Sequence, residues 1–165
     1  MPTGDTQKKE GRFTCILFPT DFSATAEHAL AYALSLAKEY GAQLFLLHVI
    51  DESSEASGFY VPHMNYDKLE SDMKVAAEKM LKSFCITHLK GVEEYSSDVV
   101  AGIPYKEIIA AADKRQADLI VMGSHGRTGI DRLVFGSTTE RVLRKSPCPV
   151  LTVHPSEETP RSSTT

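Results

Sequence analysis

Short apolar segments alternate with amphipathic segments along most of this chain. The apolar runs at 13–18, 43–50, 92–100, 118–123 and 149–153 are strand-like in length and predict five strands. Between them, apolar residues recur near the helical period and predict four helices, at 23–40, 66–90, 104–115 and 137–145. Strands that alternate with helices predict a parallel sheet with helices on both faces.

The second apolar run, Leu44 to Ile50, has none of the polar alternation of a strand with one wet face. We therefore predict an α/β fold with a single open, doubly wound sheet of five parallel strands in the order 3-2-1-4-5. In such sheets, ligands bind beyond the carboxyl ends of the strands, where the order reverses. That point lies between strands one and four, which are followed by Pro19-Thr20-Asp21 and by Gly123 to Gly129.

Two helix starts carry capping signals. Ser23 is placed to cap the first helix, and Gly41 to end it. Ser137-Thr138-Thr139-Glu140 matches a capping box, which predicts Ser137 as the N-cap, with the Glu140 side chain turned toward the Ser137 N–H. The N–H groups of that last helix would then face whatever the preceding glycine loop holds.

Composition narrows the class of protein. A chain of 165 residues with 42% hydrophobic residues suits one domain, expected at 12–154, between polar tails at 1–11 and 155–165 that are expected to be disordered. A net charge of −4 argues against a nucleic-acid partner. The sequence shows neither an apolar run of membrane-spanning length nor the apolar region of a signal peptide, so we expect a cytoplasmic protein without a membrane span. The 3 cysteines and 6 histidines show no spacing typical of a metal site.

A glycine-rich loop carries the candidate chemistry. Gly123, Gly126 and Gly136 let backbone approach a phosphate closely, although Gly123 and Gly126 could also simply shape a turn. A P-loop would place a lysine after its last glycine, but Ser137 follows Gly136. The dinucleotide pattern G-x-G-x-x-G is also missing after the first strand, which disfavours NAD and FAD.

Four motifs together resemble the ATP-binding branch of the universal stress protein family. They are Pro19-Thr20-Asp21, His48-Val49-Ile50-Asp51, Val100-Ala101-Gly102-Ile103-Pro104, and Gly-x2-Gly-x9-Gly-Ser at 123, 126, 136 and 137. The resemblance spans Phe13 to Val153, almost all of the predicted folded region.

The resemblance implies a role for each matching position. Asp21 would accept hydrogen bonds from the ribose, beside Pro19 and Thr20, while the Val49 backbone would contact adenine and Met122 would pack near the nucleoside. The phosphates would be lined by backbone and hydroxyl groups of Gly123, His125, Gly126, Gly136, Ser137, Thr138 and Thr139. The residues themselves leave alternatives open: Asp21 could help to cap the first helix, Ser137 has a capping role in any case, and Arg127 could either pair with a phosphate or stay solvated.

These residues predict a nucleotide-dependent stress-response regulator that binds ATP, with Mg²⁺ carried by the phosphates. Asp21, Asp131 and His125 are the nearby titratable groups, and none has a partner visible in the sequence, so hydrolysis is expected to be slow or absent. A weak ATPase switch and a nucleotide-free interaction module are the alternatives. The resemblance also implies a homodimer formed through Val150, Leu151, Thr152 and Val153; an ordinary edge shielded by the C-terminal tail is the alternative.

Overall fold

The described residues form five strands, paired in one parallel sheet, and four helices that cover both faces of that sheet. A computed structural model describes residues 12–52, 66–92, 94–125 and 135–155. The strands are β1 (Cys15–Pro19), β2 (Gln43–Asp51), β3 (Tyr95–Gly102), β4 (Leu119–Gly123) and β5 (Val150–Val153). The helices are α1 (Ala24–Tyr40), α2 (Tyr66–His88), α3 (Pro104–Arg115) and α4 (Ser137–Lys145). The strand order is β3-β2-β1-β4-β5, which confirms the predicted fold class and topology.

The two faces of the sheet hold two separate apolar clusters. Ile16 and Leu44 pack on one face with α1 and α2, whereas their neighbours Leu17 and Phe45 pack on the other with α3 and α4. Four consecutive residues of β2, Leu44 to Leu47, are buried because helices cover both faces of the sheet. The unbroken apolar run in the sequence is therefore explained by burial on both sides.

Both predicted ends of α1 are confirmed. The Ser23 hydroxyl accepts a hydrogen bond from the Ala26 N–H at 3.2 Å, so Ser23 is the N-cap. Gly41 adopts the left-handed conformation, with φ 62°, and its N–H donates to the Ala37 carbonyl. The path of the chain into and out of α1 is thus set by local side chains and backbone.

The predicted bounds of α2 and β3 are shifted. α2 ends at His88, two residues before the expected Lys90, and β3 begins at Tyr95 and ends at Gly102, whereas the prediction placed it within 92–100. The Val92 N–H donates to the Leu89 carbonyl at 3.1 Å, because the chain turns after α2 before it enters the sheet. The predicted tails at 1–11 and 155–165 lie outside the described residues, except for Pro155, as does the segment 53–65 between β2 and α2.

The cysteines are free thiols in the described structure. Burial raises the pKa of the Cys15 thiol, with a further contribution from the Asp118 carboxylate, and burial also raises the pKa of the Cys85 thiol. Both thiols therefore stay protonated near neutral pH, as expected for small core residues. Among the described helices, none combines the length and the apolar character that a membrane crossing requires.

Asp118 joins the beginnings of β1 and β4. One of its carboxylate oxygens, Oδ2, accepts from the Thr14 N–H at 2.7 Å, the Thr14 hydroxyl at 2.5 Å and the Cys15 N–H at 3.0 Å. The Asp118 N–H in turn donates to the Cys15 carbonyl at 2.8 Å. These bonds align two strands that are about a hundred residues apart in sequence, and Asp118 itself is buried.

Asp118→Ala is expected to lower the free energy of unfolding by about 2 kcal/mol, because it removes the charged acceptor of the Thr14 and Cys15 N–H groups. Asp118→Asn is the matched control, since its amide oxygen can still accept, and its loss should stay near ~1 kcal/mol. Urea unfolding of both variants measures the difference. Equal losses in the two variants would show that the accepting oxygen does not matter.

Candidate functional site

The predicted site lies between β1 and β4. The chain adds β2 and β3 on one side of β1 and then adds β4 and β5 on the other side. β1 sits between β2 and β4, and its ladder with β4 stops at the pair Leu17–Ile120, although β4 continues to Gly123. The Cys15 carbonyl accepts a hydrogen bond from the Asp118 N–H, at the start of β4. Successive residues of a strand turn their backbone groups to opposite sides, so Pro19, four residues on, also faces β4. Proline has no N–H to donate, and the ladder ends there. The two strands therefore stop pairing before their carboxyl ends, the place where open α/β sheets form a ligand crevice.

The turn after β1 is held by its own side chains. The Thr20 hydroxyl accepts from the Phe22 N–H at 3.1 Å, and Asp21 Oδ1 accepts from the Ser23 N–H at 3.0 Å. The predicted alternative for Asp21 is thus partly right: it shapes the turn before α1, but Ser23 caps the helix. A carboxylate offers about four acceptor sites, so this bond does not exhaust the capacity of half-buried Asp21.

The backbone of Val49, on β2, faces the space beyond the carboxyl end of β1. The Gln43 N–H donates to the Thr14 carbonyl, and the Leu47 carbonyl accepts from the Thr20 N–H. The odd-numbered residues of β2 therefore turn their N–H and C=O groups toward β1. Leu44 instead donates to Glu94, on the β3 side. By this alternation the N–H and C=O of Val49 face the space beyond the end of β1, as an adenine contact through the backbone would need.

The end of β4 is tied to the start of α4. The Thr139 hydroxyl donates to the Gly123 carbonyl at 3.1 Å, and the Gly136 N–H donates to the Ser124 carbonyl at 3.0 Å. On the β5 side of β4, the Ser124 N–H donates to the Val153 carbonyl at 2.8 Å. These bonds bring both ends of the glycine loop together and set α4 at the carboxyl end of β4.

Gly123 has a packing reason for lacking a side chain. A Cβ at this position would lie 2.9 Å from Cγ2 of Thr25 and 3.3 Å from the His125 carbonyl oxygen. The close approach that the sequence suggested therefore involves the first turn of α1. Met122, expected near a nucleoside, is buried in the cluster beneath α3 and α4.

The predicted N-cap of α4 is wrong. Gly136 is the N-cap, with φ −60° and ψ 151°, and Ser137 is already the first helical residue. Glu140 does not complete a capping box: its N–H donates to the Gly136 carbonyl, and its carboxylate pairs with Arg144 at 2.8 Å, one turn on. Among the described residues, no side chain caps the N-terminus of α4, so the exposed Ser137 hydroxyl does not have the predicted capping role.

His125 turns its side chain into the protein. It is 8% exposed, and its Nδ1 lies 2.9 Å from the hydroxyl of fully buried Ser124. Within the described part of the chain, its Nε2 is buried and lacks a hydrogen-bond partner. The imidazole therefore packs within the protein, and His125 presents backbone to the crevice more readily than a catalytic base.

The remaining site predictions can be placed only in part. Thr138 is half-exposed in the first turn of α4, but Gly126, Arg127 and Asp131 lie outside the described residues. The described residues contain no group of three or more His, Cys, Asp or Glu side chains that could hold a metal ion. The sequence analysis assigned no contact to the His48 side chain. Its Nδ1 lies 2.8 Å from the Thr20 carbonyl oxygen, and its position inside an apolar strand gave no signal of this contact.

Comparisons with known proteins agree with this fold. Universal stress protein MJ0531 of Methanocaldococcus jannaschii is 33% identical over 152 residues, which cover 87% of this chain and 84% of the relative. Universal stress protein MJ0577 of the same organism is 35% identical over 150 residues, covering 84% and 93%. A solved structure of MJ0577 has a TM-score of 0.76 at 33% identity and covers 87% of this chain and 97% of its own.

A universal stress protein crystallised in complex with cAMP has a TM-score of 0.56 at 26% identity, over 88% of this chain and 99% of that one. The family model for universal stress proteins matches residues 12–154. The match covers most of the chain and includes every element of the sheet. The chain therefore belongs to the universal stress protein family.

Proposed function

We propose that this protein binds an adenine nucleotide, ATP in particular, in the crevice between the ends of β1 and β4. The observation that carries the proposal is the start of α4, a helix N-terminus that receives no side-chain cap from the described part of the chain and is bonded to the end of β4. It lies at the point where open α/β sheets bind their ligands. The phosphates would lie at α4 and the nucleoside at the turn after β1.

The phosphate end of the proposed site rests on backbone donors. The first N–H groups of a helix have no acceptor within it, and in α4 these belong to Ser137, Thr138 and Thr139. Together with the positive end of the helix dipole, they favour an anion. The Glu140 carboxylate in the first turn of α4 pairs with Arg144, which reduces its repulsion of an anion at the helix start.

The nucleoside end rests on one carboxylate and one strand backbone. Asp21 lies beyond the carboxyl end of β1 and accepts hydrogen bonds, which suits the hydroxyls of a ribose. The outward N–H and C=O groups of Val49 suit the edge of a purine. The relative crystallised with cAMP supports the adenine nucleotide class, since it matches 88% of this chain.

We propose that Mg²⁺ enters with the nucleotide and is held by its phosphates and by water, as this ion usually is. The exposed hydroxyl of Ser137, freed from a capping role, suits a metal-bound phosphate as a neighbour. Hydrolysis is expected to be slow or absent, because an efficient site needs a group that positions the attacking water. Asp21 is engaged by its own turn and the His125 ring is buried.

The biological role that fits such a site is a nucleotide-dependent regulator in the response to stress. A bound nucleotide shifts a protein toward the conformers that bind it best, and so changes what the surface presents. A cytoplasmic location belongs to the same proposal, because free thiols are usual in reducing compartments.

Gly136→Val is expected to weaken ATP binding at least about 100-fold, roughly 2.7 kcal/mol, because a branched side chain would occupy the space at the start of α4. Valine can adopt φ −60° and ψ 151°, so the fold should be preserved. Isothermal titration calorimetry measures the affinity, and thermal unfolding checks the fold. Leu143→Ala, an exposed change near the other end of α4, is the control. An unchanged affinity in Gly136→Val would contradict the proposed phosphate position.

Asp21→Asn is expected to lower ATP affinity about tenfold, because a charged acceptor is replaced by a neutral one. The asparagine oxygen can still accept from the Ser23 N–H, so the turn after β1 is retained. Titration with ATP and with inorganic triphosphate separates the two ends of the ligand. A loss of the same size for triphosphate would argue against a ribose contact.

We also propose that the protein forms a homodimer through β5. β5 is an edge strand of the sheet. The carbonyls of Pro149 and Val153 accept hydrogen bonds from the β4 side, so by alternation the N–H and C=O groups of Val150 and Thr152 face outward. The opposite edge is less open to pairing. There the outward N–H of Val99, on β3, donates to the side chain of Asp98 at 2.9 Å.

Thr152→Pro is expected to convert the dimer to a monomer, because it removes an outward N–H and leaves the bonds between β5 and β4 in place. Thr152→Ala keeps the N–H and serves as the control, which should remain dimeric. Sedimentation equilibrium over a range of concentrations measures both. A Thr152→Pro protein that still dimerises would place the interface elsewhere.

A further inference from the structure

We infer that His48 is a positioning residue for ribose recognition, acting through the turn that carries Asp21. The inference rests on the proposed nucleotide site and assigns a residue that would not touch the ligand. His48 lies on β2, one residue after Leu47, and its ring contacts the residues on both sides of Asp21.

The first contact fixes the peptide that leads into Asp21. His48 Nδ1 lies 2.8 Å from the Thr20 carbonyl oxygen. A carbonyl oxygen only accepts, so Nδ1 carries the hydrogen and donates it. The Thr20 N–H already donates to the Leu47 carbonyl at 2.9 Å. Both backbone polar groups of Thr20 are therefore tied to β2, and the plane of the Thr20–Asp21 peptide is held.

The second contact holds the residue that follows Asp21. Phe22 has φ 63°, a left-handed conformation that side-chain-bearing residues seldom adopt and that persists where the surroundings enforce it. Its ring packs on His48, with centroids 4.4 Å apart, and meets Phe84 edge-on at 5.6 Å. This packing supplies the surroundings that keep Phe22 in its unusual conformation.

One imidazole thus brackets Asp21, holding the carbonyl before it and the aromatic ring after it. The hydrogen bond from the Ser23 N–H orients one carboxylate oxygen within that frame. A ribose hydroxyl requires a carboxylate at a set distance and angle, so loss of the bracket should weaken recognition of the sugar. The α4 N-terminus is held by other bonds, and phosphate binding should not depend on His48.

The test measures how strongly the protein prefers ATP over 2′-deoxyATP and 3′-deoxyATP. His48→Phe keeps a ring against Phe22 and removes the donor, whereas His48→Asn keeps a donor close to the Nδ1 position and removes the ring. We expect His48→Phe to reduce the preference at least about fivefold, with the affinity for inorganic triphosphate within about twofold of wild type. His48→Asn should retain a larger part of the preference, and Asp21→Asn should abolish it.

His28→Phe is the control, since His28 lies on α1 with its ring against Tyr32. Three outcomes would overturn the inference: a wild-type preference in His48→Phe, an equal loss of affinity for all three nucleotides and triphosphate, or a wild-type protein that binds ATP without any preference. A wild-type protein that binds no adenine nucleotide would instead overturn the proposed function.

A second measurement needs neither variant nor nucleotide. Nitrogen-15 NMR of the imidazole in the wild-type protein distinguishes the two neutral tautomers. We expect the hydrogen of the neutral His48 ring on Nδ1, as the bond to Thr20 requires. A neutral ring protonated only on Nε2 would contradict the inference, because two acceptors would then face each other.

Discussion

The absence of one N–H group, at Pro19, shapes the candidate site. β1 is the central strand, and its ladder with β4 ends early because Pro19 turns toward β4 without a donor. On the opposite side the ladder continues, since the Thr20 N–H still bonds Leu47 on β2. At its carboxyl end, β1 therefore separates from β4 but stays bonded to β2. Few other points in a fully parallel sheet allow a ligand to approach the backbone so closely.

Backbone and short polar side chains make most of the described hydrogen bonds around this split. The turn after β1 satisfies its own N–H groups through Thr20, Asp21 and Ser23, and α4 is attached to β4 through Gly136 and Thr139. The backbone N–H groups at the start of α4 attract an anion locally, so a protein of net charge −4 can still bind one there. Asp118 aligns the opposite ends of β1 and β4, and thereby fixes the register on which the split depends.

The sequence predicted the elements better than it predicted the contacts. Periodicity, the start signal at Ser23 and the stop signal at Gly41 predicted α1 correctly, because those signals act within a few residues. Ser137 was misassigned because a capping box is a pattern of residue types, whereas the cap itself requires extended backbone, which Gly136 adopts. The contact of His48 with Thr20 joins residues 28 apart, and no local pattern reveals it. The nucleotide contacts themselves stay a prediction.

The position of the ligand is tested most directly by following backbone amides of the labelled protein by NMR during titration with ATP and Mg²⁺. We predict saturable shifts at Thr20, Asp21, Val49, Gly123 and Thr138, with the amides of β3 near Tyr95 unchanged. Those amides lie at opposite ends of the sheet, so the two groups cannot respond to one small ligand by direct contact. Shifts confined to the β3 side, or none at saturating ATP, would contradict the site between β1 and β4.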